Sequence, residues 1–385
     1  LVLPLGTVAK SYGLQVKPGG SVRIQGGADK WPYGYATEGI PIGQTFFRIS
    51  PSSAANWAMG DRLLIAQTQG PGSSDVAERF ITSVSGPDPL TDNFNSPLSS
   101  ARVWTSTAPI LVANLTRNVV IRSSGTNSLV DAAFVNSLAA HATGFLVNQA
   151  EFADLGLIGG PDSGSHGVTI GNGALAFLSS SVFRGGDRGV FFDVGGGTVG
   201  ACVSAFNDIG AMTLLPTTVL FDGSVLAGNG NDGVAVSNPS GEIVVSSCVA
   251  VGNSGEGFNL EGKTILQDSR AFLNGSDGVR RVGTGHGTIL RRNLSHGNAF
   301  DGFNLAGPAL AAEDNRAYGN SGDGFDSLAS AFLLRNVSSS NTVHGFFLGG
   351  AHYLASNRAY ANQGPGFRLA AGTHTSVDGF SWSNA

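Results

Sequence analysis

Four consecutive stretches decide the fold: Asn298-Ala-Phe-Asp-Gly-Phe-Asn-Leu305, Asn320-Ser-Gly-Asp-Gly-Phe-Asp-Ser327, Asn341-Thr-Val-His-Gly-Phe-Phe-Leu348 and Asn362-Gln-Gly-Pro-Gly-Phe-Arg-Leu369. Each opens on Asn, reaches Gly four residues later and runs into an alternating strand-like phrase. Working outward, the same glycine recurs at Gly167, Gly189, Gly210, Gly233, Gly257, Gly278, Gly302, Gly324, Gly345 and Gly366, at spacings of 21 to 24. The leading Asn is present in seven consecutive copies, from Asn229 to Asn362, and a second Asn lies five residues before it at Asn293, Asn315, Asn336 and Asn357.

A period near 22 with three short strand phrases and Gly/Asn corners implies a parallel β-helix. One coil cannot bury its own apolar face, so stacking makes the core. Leucine-rich repeats share the period but need a Leu-x-x-Leu-x-Leu pattern that is absent here. The expected fold is all-β: a right-handed, single-stranded parallel β-helix with an N-terminal β cap. Coils about 4.8 Å apart bring equivalent residues into columns. Identical Asn side chains can then hydrogen-bond along the stack, and Asn tolerates the left-handed backbone of sharp corners. Phe258, Phe303, Phe325, Phe346 and Phe367 share one inward register. Cys202 and Cys248 fall two coils apart, too far for a disulfide, and are expected as free buried thiols.

Composition agrees. Glycine makes up 57 of 385 residues and charged residues only 13%, which excludes helix-rich architectures. Hydrophobic residues at 41% exclude disorder. A net charge of -5 argues against general nucleic-acid binding. No apolar run is long enough to span a membrane as a helix. Leu1 reads as a processed or trimmed end, with no signal peptide before it. Residues 1–126 lack the period but contain strands such as Ser21–Gln25 and Arg62–Ala66, and are read as the segment capping the solenoid of 127–385.

The N-terminal part also carries a recognisable phrase. Asn56-Trp-Ala-Met-Gly-Asp-Arg-Leu-Leu-Ile-Ala66, then Gln67-Thr68, Ala77-Glu-Arg79 and Leu115-Thr-Arg-Asn-Val-Val-Ile121, resembles the eight-glycine extracellular domain of fibrocystin-like receptors and cell-surface hyaluronidases. Asp187-Arg-Gly-Val190 and Gly197–Gly210 resemble the β-helix that follows it in that family. The resemblance implies a secreted or cell-surface protein with a polysaccharide partner. Where the hyaluronidases carry His-x-His, this chain has Ser165-His166, and later family histidines are replaced by Asp193 and Ala211.

Several groups bear chemistry. Asp162, His166, Asp187, Arg188, Asp193 and Asp208 fall in adjacent coils, where a carboxyl pair could serve glycoside hydrolysis; the same residues also suit solvated corners. His286, His296, His344 and His352 are candidates to line one face. Trp31, Tyr33 and Tyr35 could stack on sugar rings or plug the helix end. Arg280, Arg281, Arg291 and Arg292 form the densest basic cluster, apt for an anionic glycan. No pair has metal-ligand spacing, and no cofactor or metal is implied. Two functions fit: an extracellular structural or adhesive module facing a glycan or other chains, self included, and a polysaccharide-active hydrolase or lyase. Of four Asn-x-Ser/Thr sequons, only Asn114 lies outside the Asn columns.

Overall fold

The computed structural model describes residues 2–3, 13–16, 20–27, 30–49, 56–68, 76–83, 93–94, 98–103, 105, 109–123, 134–137, 144–156, 166–171, 173–237, 241–283, 287–307, 310–370, 372–378, 380–382 and 384. Among them no helix occurs, so none could cross a membrane. Three parallel sheets form the solenoid: sheet A with 13 strands, and sheets B and C with 12 each. The chain visits them in the order A, B, C. A representative coil has Arg316–Tyr318 in sheet A, Phe325–Ser327 in sheet B and Ala331–Leu334 in sheet C. Alternate side chains enter the tube, as in Phe325 and Ser327, while Asp326 between them faces outward. Stacked phenylalanines fill one inner column: Phe303, Phe325, Phe346 and Phe367 lie ring on ring at 4.7, 4.8 and 4.7 Å. Phe258 shares the register, but Val279 stands between it and Phe303.

Two asparagine ladders hold the corners. On the A-to-B corner Asn207, Asn229, Asn253, Asn274, Asn298, Asn320, Asn341, Asn362 and Asn384 pass side-chain hydrogen bonds from coil to coil. From Asn229 onward each Nδ2 donates to the next Oδ1 at 2.8–3.0 Å. The backbone N–H of each Asn donates to that same oxygen, and the second Nδ2 hydrogen goes to a carbonyl of the preceding coil, as Asn320 does to Ser295. A shorter ladder, Asn293 to Asn315 to Asn336 to Asn357, holds the C-to-A corner. Apart from the half-buried Asn384, these side chains are buried yet satisfied, the condition for tolerating polar groups in a core. The left-handed residues are not the ladder asparagines but those directly before them, such as Asp314 (φ 57°) and Arg335 (φ 54°). The Asn side chain can then turn inward while its predecessor makes the bend. Among the described residues the B-to-C corner has no ladder.

The N-terminal segment closes one end of the solenoid and also adds a sheet to its flank. Gly13–Val16 and Val22–Gln25 already belong to sheets B and C. The chain then leaves the solenoid to build a five-stranded sheet containing Tyr33–Tyr35, Arg62–Ile65, Ala77–Ser83, Asn93–Phe94 and Leu111–Asn114, antiparallel throughout. It rejoins at Val119–Ser123 in sheet A. Strand alternation explains its placement. Leu63, Ile65 and Val112 face the side sheet's own core with Trp57 and Phe47. Leu64, Ala66, Leu111 and Ala113 face the solenoid and pack on Val203, Val225, Val249 and Leu273. A fully buried aliphatic side chain stabilises by about 1.5–3 kcal/mol, so this seam fastens the sheet to the flank of sheet A. Strands of the three solenoid sheets thus lie on both sides of the expected 126/127 boundary.

Asn114 is buried and donates to Asp61 at 2.8 Å, so its sequon is inaccessible in the folded chain. Cys202 and Cys248 are free and buried, with Ser224 in the intervening coil. Burial pushes both thiols up to about 12. Alkylation at mildly alkaline pH should therefore modify neither in the native protein and both after denaturation; rapid native labelling would contradict the packing. Asn320→Ala strips partners from Asn298 and Asn341 and should cost roughly 2–4 kcal/mol of unfolding free energy. Exposed Gln363→Ala on a neighbouring corner should cost less than about 0.5 kcal/mol. Chemical denaturation of the two variants checks the difference.

Candidate functional site

The residue preceding each repeat glycine forms a column along the A-to-B corner, beside the outer face of sheet B. Read along the rod, it is His166, Arg188, Ile209, Asp232, Glu256, Asp277, Asp301, Asp323, His344 and Pro365. Five consecutive coils thus stack a carboxyl over a carboxyl. Backbone amides one coil on support them: Glu256 N–H donates to Asp232 at 2.9 Å, Asp301 to Asp277 at 2.9 Å, Asp323 to Asp301 at 2.7 Å and His344 to Asp323 at 2.6 Å. The next outward column, on sheet B itself, brings Asn259, Arg280, Asn304, Asp326, Phe347 and Arg368 alongside.

Crowded, half-buried carboxyls hold protons. Burial, with a hydrogen bond to Glu256, pushes Asp232 up to about 7. Burial and the charges of Asp277 and Asp323 push Asp301 up to about 7. Asp326 rises to about 6, by burial and then by Asp323 and Asp277, and its Oδ1 is buried with no hydrogen-bond partner. Burial also raises Asp277. Glu256 is held below its ordinary value: burial opposes this, but Asp232 and the Arg280 guanidinium, 2.9 Å away, donate to it. At the C-terminal end the His344 ring Nδ1 lies 2.8 Å from Asp323 Oδ1, and Arg368 lies 3.3 Å from His344 Nε2 and over the Phe347 ring.

The cluster expected from sequence also assembles in part, at the other end of the same face. His166 Nδ1 lies 2.5 Å from Asp187 Oδ2, both buried. Arg188 Nε stands 3.7 Å from the same oxygen, and its guanidinium covers Phe191 at 4.5 Å. Burial lowers Arg188, while burial and Asp187 raise Asp208. Asp193 reaches Arg188 only through its longer-range field. Asp162 and His286 lie outside the described residues. His296 is sandwiched between Phe272 and Tyr318, and burial lowers it to about 4. His352 bonds Ser327 and the Gly350 carbonyl.

Two expected groupings disperse. Arg280 faces out of sheet B, but Arg281, the next residue in the strand, points into the tube, fully buried, and bonds Thr288 and the Val282 carbonyl. Arg291 faces out of sheet C toward Glu313, and Arg292 on the C-to-A corner clamps Asp268 with two 2.7 Å bonds. The four arginines make no common patch. Of the aromatics, Trp31 is 54% exposed, whereas Tyr33 and Tyr35, two apart on one strand face, pack toward the solenoid. The carboxyl column is not visible in any single coil. Its signal was an acidic residue before the repeat glycine in five successive copies.

No known family pattern matches the sequence, and no curated protein matches it. Among solved structures, the periplasmic alginate epimerase AlgG superposes over 69% of this chain and 73% of its own, at 13% identity and a TM-score of 0.57. The A-module of mannuronan C-5 epimerase AlgE4 from Azotobacter vinelandii covers 69% and 82%, at 16% identity and 0.37. Pectate lyase Pel9A covers 69% and 65%, at 15% identity and 0.28. At such identities the likeness establishes a fold, the parallel β-helix, and the AlgG superposition is close enough to carry that.

The raised carboxyls make stability depend on pH. An unfolded Asp titrates at ~3.9, so the folded state binds the Asp301 proton more tightly. That contribution is present in full below about pH 4 and is lost as pH rises through about 7. Asp301→Asn keeps an acceptor for the Asp323 amide and removes the ionisation penalty. Its melting temperature should exceed that of the parent at about pH 8, with the gap shrinking at about pH 5; a gap independent of pH would show that Asp301 ionises freely.

Proposed function

We propose that the chain is a polysaccharide-active enzyme that cleaves glycosidic bonds on the outer face of sheet B. Asp326, with Asp301 behind it, supplies the proton to the leaving oxygen, and Asp323, tied to the ring and amide of His344, acts as base or nucleophile. The observation that carries this reading is the pair of carboxyls pushed up to about 7 and about 6 beside Asp323. A carboxylic acid that keeps its proton near neutrality is a general acid. Asp301 and Asp323 hold equivalent positions one coil, about 4.8 Å, apart, near the ~5 Å between the carboxyls of retaining glycosidases, and Asp326 stands three residues beyond Asp323 in the same coil. Arg280 and Arg368 flank the carboxyls with positive charge, which favours an acidic sugar chain. Phe347 adds an apolar surface for a sugar ring.

The polysaccharides named for the structural neighbours, alginate and pectate, and the hyaluronan implied by the N-terminal resemblance set the substrates to try. The periplasmic location named for AlgG and the eight-glycine resemblance both support a protein working outside the cytoplasm. A second reading, a structural or adhesive module, draws on the outer face of sheet C. There Phe177, Phe332 and Tyr353 stand 44%, 59% and 39% exposed, with Leu220, Val244 and Ile265 in the same outward column.

Incubation with alginate, pectate, hyaluronan and chondroitin should release reducing ends from at least one. Asp323→Asn and Asp326→Asn should each lower that rate about 100-fold or more, while Asp187→Asn in the distant cluster should stay within a few-fold. Ultraviolet-absorbing unsaturated ends would reassign the chemistry to elimination. Binding without cleavage would leave the adhesive reading.

A further inference from the structure

Where the side sheet meets the first coils, the structure holds an open pocket of about 360 Å³ lined by Gly60, Arg62, Phe80, Thr116, Arg117, Val120, Arg122, Glu151 and Arg184. It lies beside the outer face of sheet A, away from the carboxyl column. Four guanidinium groups converge here from different parts of the chain. Arg62 comes from the side sheet, Arg117 from the segment that returns to the solenoid, and Arg122 and Arg184 from sheet A. The register places Ala153 between Arg122 and Arg184, so a small side chain floors the gap between two long cations.

Their pairing is uneven. Arg62 has Glu78 at 3.0 Å and Arg184 has Glu151 at 2.6 Å. Arg117 and Arg122 have no ion-pair partner among the described residues. Arg117 is 97% buried by its side-chain environment, being only 3% exposed. Its Nε and Nη1 donate to the carbonyls of Ser180, Asn114 and Thr116, which fix the guanidinium rigidly. Its Nη2 is buried with no hydrogen-bond partner, a costly state for a cationic donor. The opposing carboxylates are Glu78, Glu151, Asp154 and Asp61, against which stand the four arginines and Lys30, the partner of Asp61. The pocket is thus net positive, with one preorganised buried donor and one exposed guanidinium left over. The Phe80 ring, capped by Arg62 at 5.2 Å, remains 38% exposed at the rim.

We propose that this pocket is an anion-selective saccharide subsite, in which Arg117 and Arg122 hold the carboxylate or sulfate of an acidic sugar while its ring rests against Phe80. Arginine suits this task because its planar fork matches two oxygens of one anionic group. The volume suits one or two sugar units, within the range of ordinary ligand pockets. The saccharide identity of the ligand rests on the polysaccharide reading above; the anion preference rests on the arginines alone. The site lies beside sheet A rather than on sheet B, so it would anchor an acidic chain without entering the cleavage step.

Calorimetric titration of the full chain tests it, in the Asp323→Asn background so that no probe is cleaved. The probes are tetragalacturonate, a chondroitin sulfate tetrasaccharide and neutral cellotetraose. An acidic probe should bind, more weakly as sodium chloride is added, and cellotetraose should not. Binding of both acidic probes would assign the carboxylate that they share as the recognised group, and binding of the chondroitin sulfate alone, the sulfate. Arg122→Ala removes an exposed side chain without an ion-pair partner, so it should fold normally, with an unchanged melting temperature. It should weaken the acidic probe about 10-fold or more, whereas Arg335→Ala, which removes an arginine far along the rod, should not. Equal affinity for neutral and acidic probes, or unchanged affinity in Arg122→Ala, would overturn the proposal. Absence of cleavage in the parent enzyme would overturn the hydrolase reading and leave this result standing.

Discussion

The side-chain hydrogen bond from one asparagine to the next is the constraint on which this molecule depends. Parallel strands alone leave register free to slip, since every residue finds some partner. A buried Asn does not have that freedom. Its oxygen accepts two bonds and its amide donates two, and a slip by one residue would strand all four in an apolar core. The ladder therefore sets which residue stands over which for the length of the rod. The stacked phenylalanines, the buried thiols and the columns of charge inherit that alignment.

Alignment carries an electrostatic consequence. In an ordinary sheet, like charges facing one another on adjacent strands repel and are avoided. Here the repeat forces carboxyl over carboxyl through five coils. Amides from the next coil, Asn259, Asn304 and Arg280 relieve part of that repulsion, and retained protons relieve the rest. A groove that holds protons near neutrality follows from the geometry of stacking, before any particular substrate is considered.

Legibility in the sequence followed the range of the interactions. The coils, the ladders, the phenylalanine column and the separation of Cys202 from Cys248 all repeat at a fixed spacing and could be read directly. The side sheet could not be placed, because its position rests on contacts such as Leu64 and Ala113 with Val203 and Val225, which no local pattern announces. Arg280 and Arg281 were grouped as neighbours in sequence, although strand alternation sends them to opposite sides of the wall. The same alternation sends Tyr33 and Tyr35 together toward the solenoid. Arg117, Arg122 and Arg184 went unnoticed because they converge only in three dimensions.

The corner that lacks a ladder has a different character from the other two. In register, Ile243, Thr264, Thr288, Leu310, Ala331 and His352 open successive strands of sheet C or lie level with those openings. From each of them to the next repeat glycine the count is always 14 residues. Through these coils the variation in length, from 21 to 24, is confined to the B-to-C corner; earlier in the chain the A-to-B corner also differs, Asn207 standing three residues before Gly210 where Asn229 stands four before Gly233. From Val219 onward the solenoid is thus a regularly repeated chassis with one seam of variable length, and that seam runs along the edge of the carboxyl face. Loops there can lengthen, shorten or diversify without shifting a single rung, so the walls of the groove can evolve independently of the scaffold that aligns its floor.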